Sequence, residues 1–493
     1  MGALHRGHRH LLERAAAHGL HRSPRVLLSV FVNPLQFAPG EDYARYPRDL
    51  GRDMELAAGA GAQACFAPSP EDLFPGGEEW LTGVRPPQAL KSGLCGRSRP
   101  GHFDGVATVV CRLLALVRPD WLVLGEKDWQ QVVILRRVLA DLALPVRVLS
   151  CGTVRESDGL ACSSRNRYLS VQERRQASCL PRVLRGAAER AAQAPIQAAS
   201  LLSGVREELD RAGLEVDYVE LVAPQTLAPD PRRGAPALLA SAVRCGTTRL
   251  IDHVFVMSRA PIVAIDGPAG AGKSTVSRAF ATRMGLIYLD TGAMYRAVTW
   301  WVRHQGVDPA DPAAVAPLLE GLDLRIQQDP GLGQVVVING HDVSGAIRDP
   351  AVTALVSTVA AHGSVREALT AQQQAMGKRG GLVAEGRDIG TAVFPDAECK
   401  IFLTATVEER ARRRAEDLGG KGFEVPPIGE LRDQIAERDH LDASRTVAPL
   451  RRAADAVELV TDGMAIEEVI EAMVDHFRQR VPEDAWAGAQ GSD

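Results

Sequence analysis

The chain has 493 residues, 45% hydrophobic and 24% charged, with a formal net charge of −4; those are globular proportions, and the length suits about three domains. A near-neutral balance gives no bulk reason to expect a nucleic-acid polymer or a membrane as partner, so basic clusters have to be read locally. No apolar run reaches the ~18 residues of a membrane helix, and no signal-peptide pattern opens the sequence, so a soluble, cytoplasmic protein is expected. The eight cysteines show no C-x-x-C spacing and read as reduced, buried thiols.

In chain order, His5-x-x-His8, with Gly7 between, precedes an amphipathic stretch of Leu11, Leu12 and Ala15. Two imidazoles are thus expected at a helix start, where phosphate is favoured. A strand over Val26–Val32 runs into Asn33-Pro34-Leu35-Gln36-Phe37, and Arg97 to Phe103 form a polar glycine loop. The strand Trp121–Leu124 ends in Gly125-Glu126-Lys127-Asp128, on the edge where open α/β sheets bind ligands. Val132, Leu135, Val138, Leu139 and Leu142 then share one helix face. A strand at Val146–Leu149 and a second polar loop, Ser163-Ser164-Arg165-Asn166, follow. A weaker boundary near residue 168 opens a helical region over 171–214, and the main boundary falls near residue 254.

Beyond that boundary, strand Ile262–Ile265 runs into Gly267, Pro268, Ala269, Gly270, Ala271, Gly272, Lys273 and Ser274, which fit G-x-x-x-x-G-K-[ST] at every position. A helix follows, with Thr275 in its first turn and Val276, Phe280 and Met284 spaced by four. Backbone N–H groups of such a loop cradle phosphates, Lys273 would reach the β- and γ-phosphates, and Ser274 would hold Mg²⁺ through the nucleotide. Further strands are expected at Leu286–Leu289, Leu382–Ala384 and Ile401–Leu403, and strand–helix alternation predicts parallel sheets covered by helices. Asp290-Thr291 and Arg296, then Arg348, Arg387-Asp388, the run Arg410, Arg412, Arg413 and Arg414, and finally Arg438, Asp442 and Arg445 come in order. The last three, at i, i+4 and i+7, predict one helix face. Alone, an Arg–Asp pair is an ordinary salt bridge and an Arg-rich helix a solvated face; following a phosphate loop in this order, they point to an acceptor site. From Pro482 onward the polar, Gly/Ala-rich composition predicts a frayed tail.

Residues 262 to about 480 resemble bacterial cytidylate kinases, with 308–345 matching their enlarged monophosphate-binding insert. The resemblance implies transfer of a phosphoryl group from ATP to CMP or dCMP. Thr291, Arg296, Arg348, Asp388, Arg438, Asp442 and Arg445 would bind the acceptor, with Asp442 and Arg445 reading the cytosine and Asp388 the ribose. Residues 1 to about 252 resemble pantothenate synthetase (pantoate–β-alanine ligase), of the H-x-G-H nucleotidyl-transfer superfamily. Here the resemblance implies ATP-dependent condensation of pantoate with β-alanine through pantoyl adenylate. Met1, Gly2, Ala3, Leu4, His5, Arg6, Gly7 and His8 would line ATP, together with Gly125, Glu126, Lys127, Asp128, Val154, Cys162, Ser163, Ser164 and Arg165. His8, His5, Lys127 and Arg165, and Lys273 in the other half, would be catalytic, and Gln36 and Gln131 would hold pantoate and β-alanine. Cys162 departs from the family's small aliphatic residue.

The implied fold is α/β: a Rossmann-like nucleotidyl-transfer domain with a small second part (1–253, divided near 168), then a P-loop nucleoside monophosphate kinase domain (254–493). A homodimer through the first half is compatible with it. The family carries roughly 25 residues of strand and helix before MGALH, so an upstream start is expected, with Met1 as the motif's internal methionine. Two other readings of the first half stay open: an inactive binding or dimerisation module on an active kinase, and an adenylyltransferase for another substrate. A kinase for another small acceptor is the alternative in the second half.

Overall fold

The computed structural model describes residues 2–18, 24–37, 40–193, 197–229, 231, 235–329, 333–420, 422 and 424–487. They form two compact units, Met1–Ser258 together with Pro482–Ala487, and Arg259–Val481.

The first unit opens with helix α1 (Arg6–Ala17), whose first turn contains His8, so the histidine pair caps the helix rather than preceding it. Strand β1 (Leu27–Ser29) pairs in parallel with β2 (Ala64–Phe66), and helix α2 (Leu50–Gly59) lies between them in sequence. Helix α3 (His102–Val117) leads to β3 (Trp121–Gly125), then α4 (Trp129–Asp141) and β4 (Arg147–Cys151), which pairs in parallel with β3. Val132, Leu135, Val138 and Leu139 are buried on α4 as their spacing predicts; Leu142 lies past the helix end and is exposed.

The helical region resolves into α5 (Val171–Ala177), α6 (Cys179–Gln193) and α7 (Ala198–Arg211). Leu180, Leu184, Val205 and Leu209 of this layer pack with Leu239 and Val243 of an antiparallel sheet of β5 (Glu215–Val222), β6 (Ala237–Cys245) and β7 (Thr248–Val256). The tail is not frayed at its start: Pro482–Ala487 folds back into this first unit, with Ala485 and Trp486 N–H groups bonded to Pro482 O.

The second unit is built on β8 (Ile262–Asp266), buried along its whole length. Helix α8 (Lys273–Met284), strand β9 (Ile287–Asp290) and helix α9 (Thr291–His304) follow. An antiparallel meander, β10 (Leu324–Asp329), β11 (Gly333–Ile338) and β12 (His341–Asp342), precedes helices α10 (Pro350–Ala361) and α11 (Gly363–Met376). Then come β13 (Leu382–Gly386), β14 (Cys399–Thr404), α12 (Val407–Gly420), α13 (Ile428–Ala443), β15 (Val457–Val460) and α14 (Ile466–Arg480). The parallel sheet has the order β15-β14-β8-β13-β9, so β8 sits at its centre with its C-terminal end opening on the phosphate loop. Gly267 has φ +151°, and a Cβ there would meet Leu403 O at 1.9 Å, so only glycine leaves this strand. Helix α13 stops at Ala443, which leaves Arg445 past the helix rather than on its face.

Among the described residues no helix is long and apolar enough to cross a membrane, and all eight cysteines are free. Five are buried; Cys65, Cys111 and Cys179 are half-exposed.

Candidate active sites

In the first unit, backbone hydrogen bonds fix the histidine pair. Gly7 N–H donates to His5 Nδ1 at 3.1 Å, and His5 N–H donates to His8 Nδ1 at 3.3 Å. Burial, then Lys127 and Arg167, pushes the His5 ring down to about 4; burial, then His5, holds His8 well below its ordinary value. Both rings are therefore neutral near pH 7. With each Nδ1 accepting, the hydrogen-bond pattern assigns the proton to Nε2, and two Nε2–H donors stand side by side with ring centroids 4.0 Å apart.

A cleft opens beside them at the C-terminal ends of β3 and β4. It brings together His5, Gly7, His8, Gln36, Gly125, Lys127, Asp128, Gln131, Val154, Cys162, Ser163, Ser164 and Arg165. A second cavity continues from it past Lys127, Gln131 and Arg165 to Trp129 and His253. Gln36 ends a short 3₁₀ turn (Pro34–Gln36) capped by Asn33, whose Oδ1 accepts Leu35 N–H at 3.0 Å and whose Nδ2 donates to Gly105 O at 3.1 Å. Its carbonyl is gripped by His102 Nδ1 at 2.8 Å and Arg99 Nη2 at 3.1 Å. Arg165 forms a bidentate pair with Asp42 at 2.8 and 3.0 Å, which lowers the Asp42 carboxyl.

Five predicted residues stay off this cleft. Gly2, Ala3 and Leu4 are buried, and Asp53 accepts the N–H groups of Ala3 and Leu4 at 2.9 and 2.6 Å. Arg6 is exposed on α1, and Met1 lies outside the described residues. Glu126 turns inward, wholly buried, where Ser150 Oγ donates to it at 2.9 Å. Burial, then Asp484, pushes its carboxyl up to about 7.

In the second unit one large cleft gathers Ala269 to Thr275, Thr291, Arg296, Arg348, Asp388, Arg438, Asp442 and Arg445; Gly267 and Pro268 lie behind it. Lys273 Nζ donates to Gly267 O and Pro268 O at 2.9 and 2.8 Å, and burial, then Arg387, lowers its ammonium. Ser274 Oγ donates to Glu385 Oε1 at 2.8 Å. Asp266 accepts the N–H groups of Ile389 and Gly390, each at 2.7 Å, which orders the turn after Asp388. Thr291 Oγ1 donates to Glu385 O at 2.7 Å, and Arg296 pairs with Asp290 at 2.9 Å. Asp442, 2% exposed, sits between Arg387 Nε at 3.1 Å and Arg445. Arg438 is half-buried, its Nε atom is enclosed without a partner, and desolvation lowers it.

The arginine run divides. Arg413 and Arg414 face the cleft, whereas Arg412 pairs outward with Glu409 and Glu416. Arg410 is buried against Asp439 at 2.6 Å and donates to Ala269 O, bracing the phosphate loop rather than pointing into it.

The sequence profile of the pantoate-beta-alanine ligase family matches residues 1–255, and that of cytidylate kinase matches 263–479. The bifunctional pantoate ligase/cytidylate kinase of Prochlorococcus marinus (strain MIT 9313) is 61% identical over 99% of this chain and 96% of its own length. Its counterpart in Parasynechococcus marenigrum (strain WH8102) is 61% identical over 100% and 95%. The chain belongs to the bifunctional pantoate ligase/cytidylate kinase family. A solved pantothenate synthetase from Thermus thermophilus is 46% identical over 52% of this chain and 91% of that one, with a TM-score of 0.49.

The ligase unit and the kinase unit each have cleft residues that the sequence did not single out. Tyr46, Arg99 and His102 line the ligase cleft. In the kinase cleft, Arg366 forms an ion pair with Asp388 at 2.8 Å, both buried, and Arg387 meets Asp442. Arg99, His102 and Arg387 stand inside quoted motifs and were within reach; Tyr46 and Arg366 carry no local signal.

Proposed function

We propose that the ligase cleft activates pantoate by adenylation. A pantoate carboxylate oxygen attacks the α-phosphorus of ATP, the α–β phosphoanhydride bond breaks, and diphosphate leaves. The β-alanine amine then attacks the acyl carbon, loses a proton and displaces AMP. No side-chain nucleophile is needed, so positioning and charge neutralisation supply the catalysis. The neutral Nε2–H groups of His5 and His8 donate to the phosphate oxygens, and Lys127 and Arg165 neutralise their charge. Gln36 and Gln131 hold pantoate. The observation that carries this reading is the meeting of two neutral imidazole donors, two cations and two amides in one cleft.

In the kinase cleft, a CMP or dCMP phosphate oxygen attacks the γ-phosphorus of ATP held by the Gly267–Thr275 loop, the β–γ phosphoanhydride bond breaks, and ADP leaves. Arg296, Arg348 and Arg438 fix the acceptor, and Asp442 accepts from the exocyclic amine of cytosine. No cluster of metal-ligating side chains occurs among the described residues, so an ion here would be held largely by the nucleotide. The hard oxygen donors Ser274 and Glu385 at the loop fit Mg²⁺ in that role. When bound, Mg²⁺ neutralises charge on the β- and γ-phosphates.

The test supplies ATP, Mg²⁺ and pantoate with and without β-alanine and follows AMP, with CMP-dependent ADP as the second readout. AMP that requires both pantoate and β-alanine is expected. ADP formation without any AMP would leave the first unit as a binding module on an active kinase.

A further inference from the structure

Strand β4 ends at Cys151, and the next three residues, Gly152, Thr153 and Val154, form one wall of the ligase cleft. Backbone beyond a strand end loses its ladder partners and needs others. Val154 O accepts Cys162 N–H at 2.9 Å. The Gly152 and Thr153 N–H groups are taken by the chain's far end: Glu483 Oε2 accepts from Gly152 at 2.9 Å, and Asp484 Oδ1 accepts from Thr153 at 2.8 Å. Asp484 Oδ2 also accepts from Thr153 Oγ1 at 2.5 Å.

The exchange is reciprocal. The N–H groups of Glu483 and Asp484 donate to the buried Glu126 carboxylate at 3.0 and 2.8 Å, and Glu126 follows the paired strand β3. Arg14 of α1 grips Glu483 at 2.6 and 3.1 Å, which ties the segment to the helix that carries the histidine pair. Gly152 leaves little room for a side chain beside it: a Cβ would sit 3.3 Å from both Glu483 Cβ and Asp484 Oδ1. The inward turn of Glu126 is thereby explained, because it anchors this segment instead of meeting nucleotide.

We propose that Glu483 and Asp484 are positioning residues of the ligase, holding the Gly152–Val154 wall in the conformation that receives ATP. This rests on the assignment of the cleft to ATP. Neither residue touches substrate; they act through the backbone N–H groups of Gly152 and Thr153 and through Arg14.

The experiment compares two double variants of the full chain, E483A/D484A and E483Q/D484N. Removing the acceptors is expected to raise the ligase KM for ATP about tenfold, with a smaller change in kcat and in the KM for pantoate. The amide pair keeps one acceptor oxygen for each backbone N–H but gives up half of the Arg14–Glu483 contact, and is expected to raise the KM for ATP less than the alanine pair does. CMP-dependent ADP formation should be unchanged in both. A peptide of sequence PEDAWA added at millimolar concentration should lower the raised KM. An unchanged KM for ATP in the alanine pair overturns the inference. So does a parallel fall in kcat and rise in both KM values that tracks a lowered melting temperature, since that marks a purely structural contact. If the parent chain releases no AMP with pantoate and β-alanine, the ligase reading itself fails, and this inference fails with it.

Discussion

His5 and His8 owe their chemistry to the backbone that holds them. Each Nδ1 spends its lone pair on a helix N–H, so each ring offers its Nε2 proton to the cleft without being charged. Replacing His8 by alanine removes one such donor and is expected to lower ligase kcat about 10²- to 10³-fold, with CMP phosphorylation unaffected. The same burial has a cost in acid. His5 and His102 are each pushed down to about 4, below the ~6.5 of an unfolded chain. The unfolded state therefore takes up protons first. Stability from the neutral rings is full above about pH 6.5 and is lost as pH falls toward 4. Urea unfolding of the ligase unit should show a lower midpoint at pH 5 than at pH 7; an unchanged midpoint would mean the rings are charged in the fold. In the kinase, Asp442→Asn replaces a pure acceptor by a group that also donates. The kcat/KM for CMP should fall about ten- to a hundredfold while UMP gains relative to CMP. Equal losses for both would remove Asp442 from base reading.

At the scale of elements, the Gln36 turn depends on how closely α3 approaches it. A Cβ on Gly105 would meet Leu35 O at 2.2 Å, a backbone atom that has to move. Gly105→Ala is expected to shift the turn, weaken the Asn33–Gly105 bond and raise the KM for pantoate severalfold more than the KM for ATP. Steady-state kinetics with each substrate varied decides this, and an unaltered pantoate KM would place the Gln36 side chain outside the pantoate site. Such contacts also mark the limit of sequence reading. The phosphate loop was legible because its residues are contiguous and its strand and helix flank it directly. Strands β1, β3, β4, β8, β9, β13 and β14 were legible as short apolar runs and α4 from its spacing, whereas the antiparallel strands β5–β7 and β10–β12 were not. Gly105 against Leu35 and Arg366 against Asp388 join separate elements, and no local spacing encodes them. The Arg438–Asp442–Arg445 spacing was read as one helix face, but the helix ends at Ala443 and a turn delivers Arg445 to the same carboxylate.

Across the whole molecule, the longest connection was the least legible. Glu483 and Gly152 are 331 residues apart, and a polar, small-residue tail carries the composition of a frayed end. What replaces fraying is hydrogen bonding in both directions: the segment's own Glu483 and Asp484 carboxylates take the N–H groups of Gly152 and Thr153, and its N–H groups meet the Glu126 carboxylate, a partner no local composition announces.

Each unit has its own core. Leu4, Leu12 and Leu28 pack with Ala57 in the ligase unit, whereas Ile262, Met294 and Val298 pack with Leu382 in the kinase unit. Asp53 tests whether the units unfold separately. Its buried carboxylate takes the N–H groups of Ala3 and Leu4, and Ala3 is held at φ +50°, a conformation costly for a residue with a Cβ. Asp53→Ala leaves two buried donors unsatisfied and releases the strained residue, so the ligase unit should lose about 2–4 kcal/mol. In denaturant, the loss of AMP-forming activity should move to lower concentration while the loss of CMP phosphorylation stays in place. If both shift together, the two cores unfold as one cooperative unit, and stabilising either half would stabilise the other.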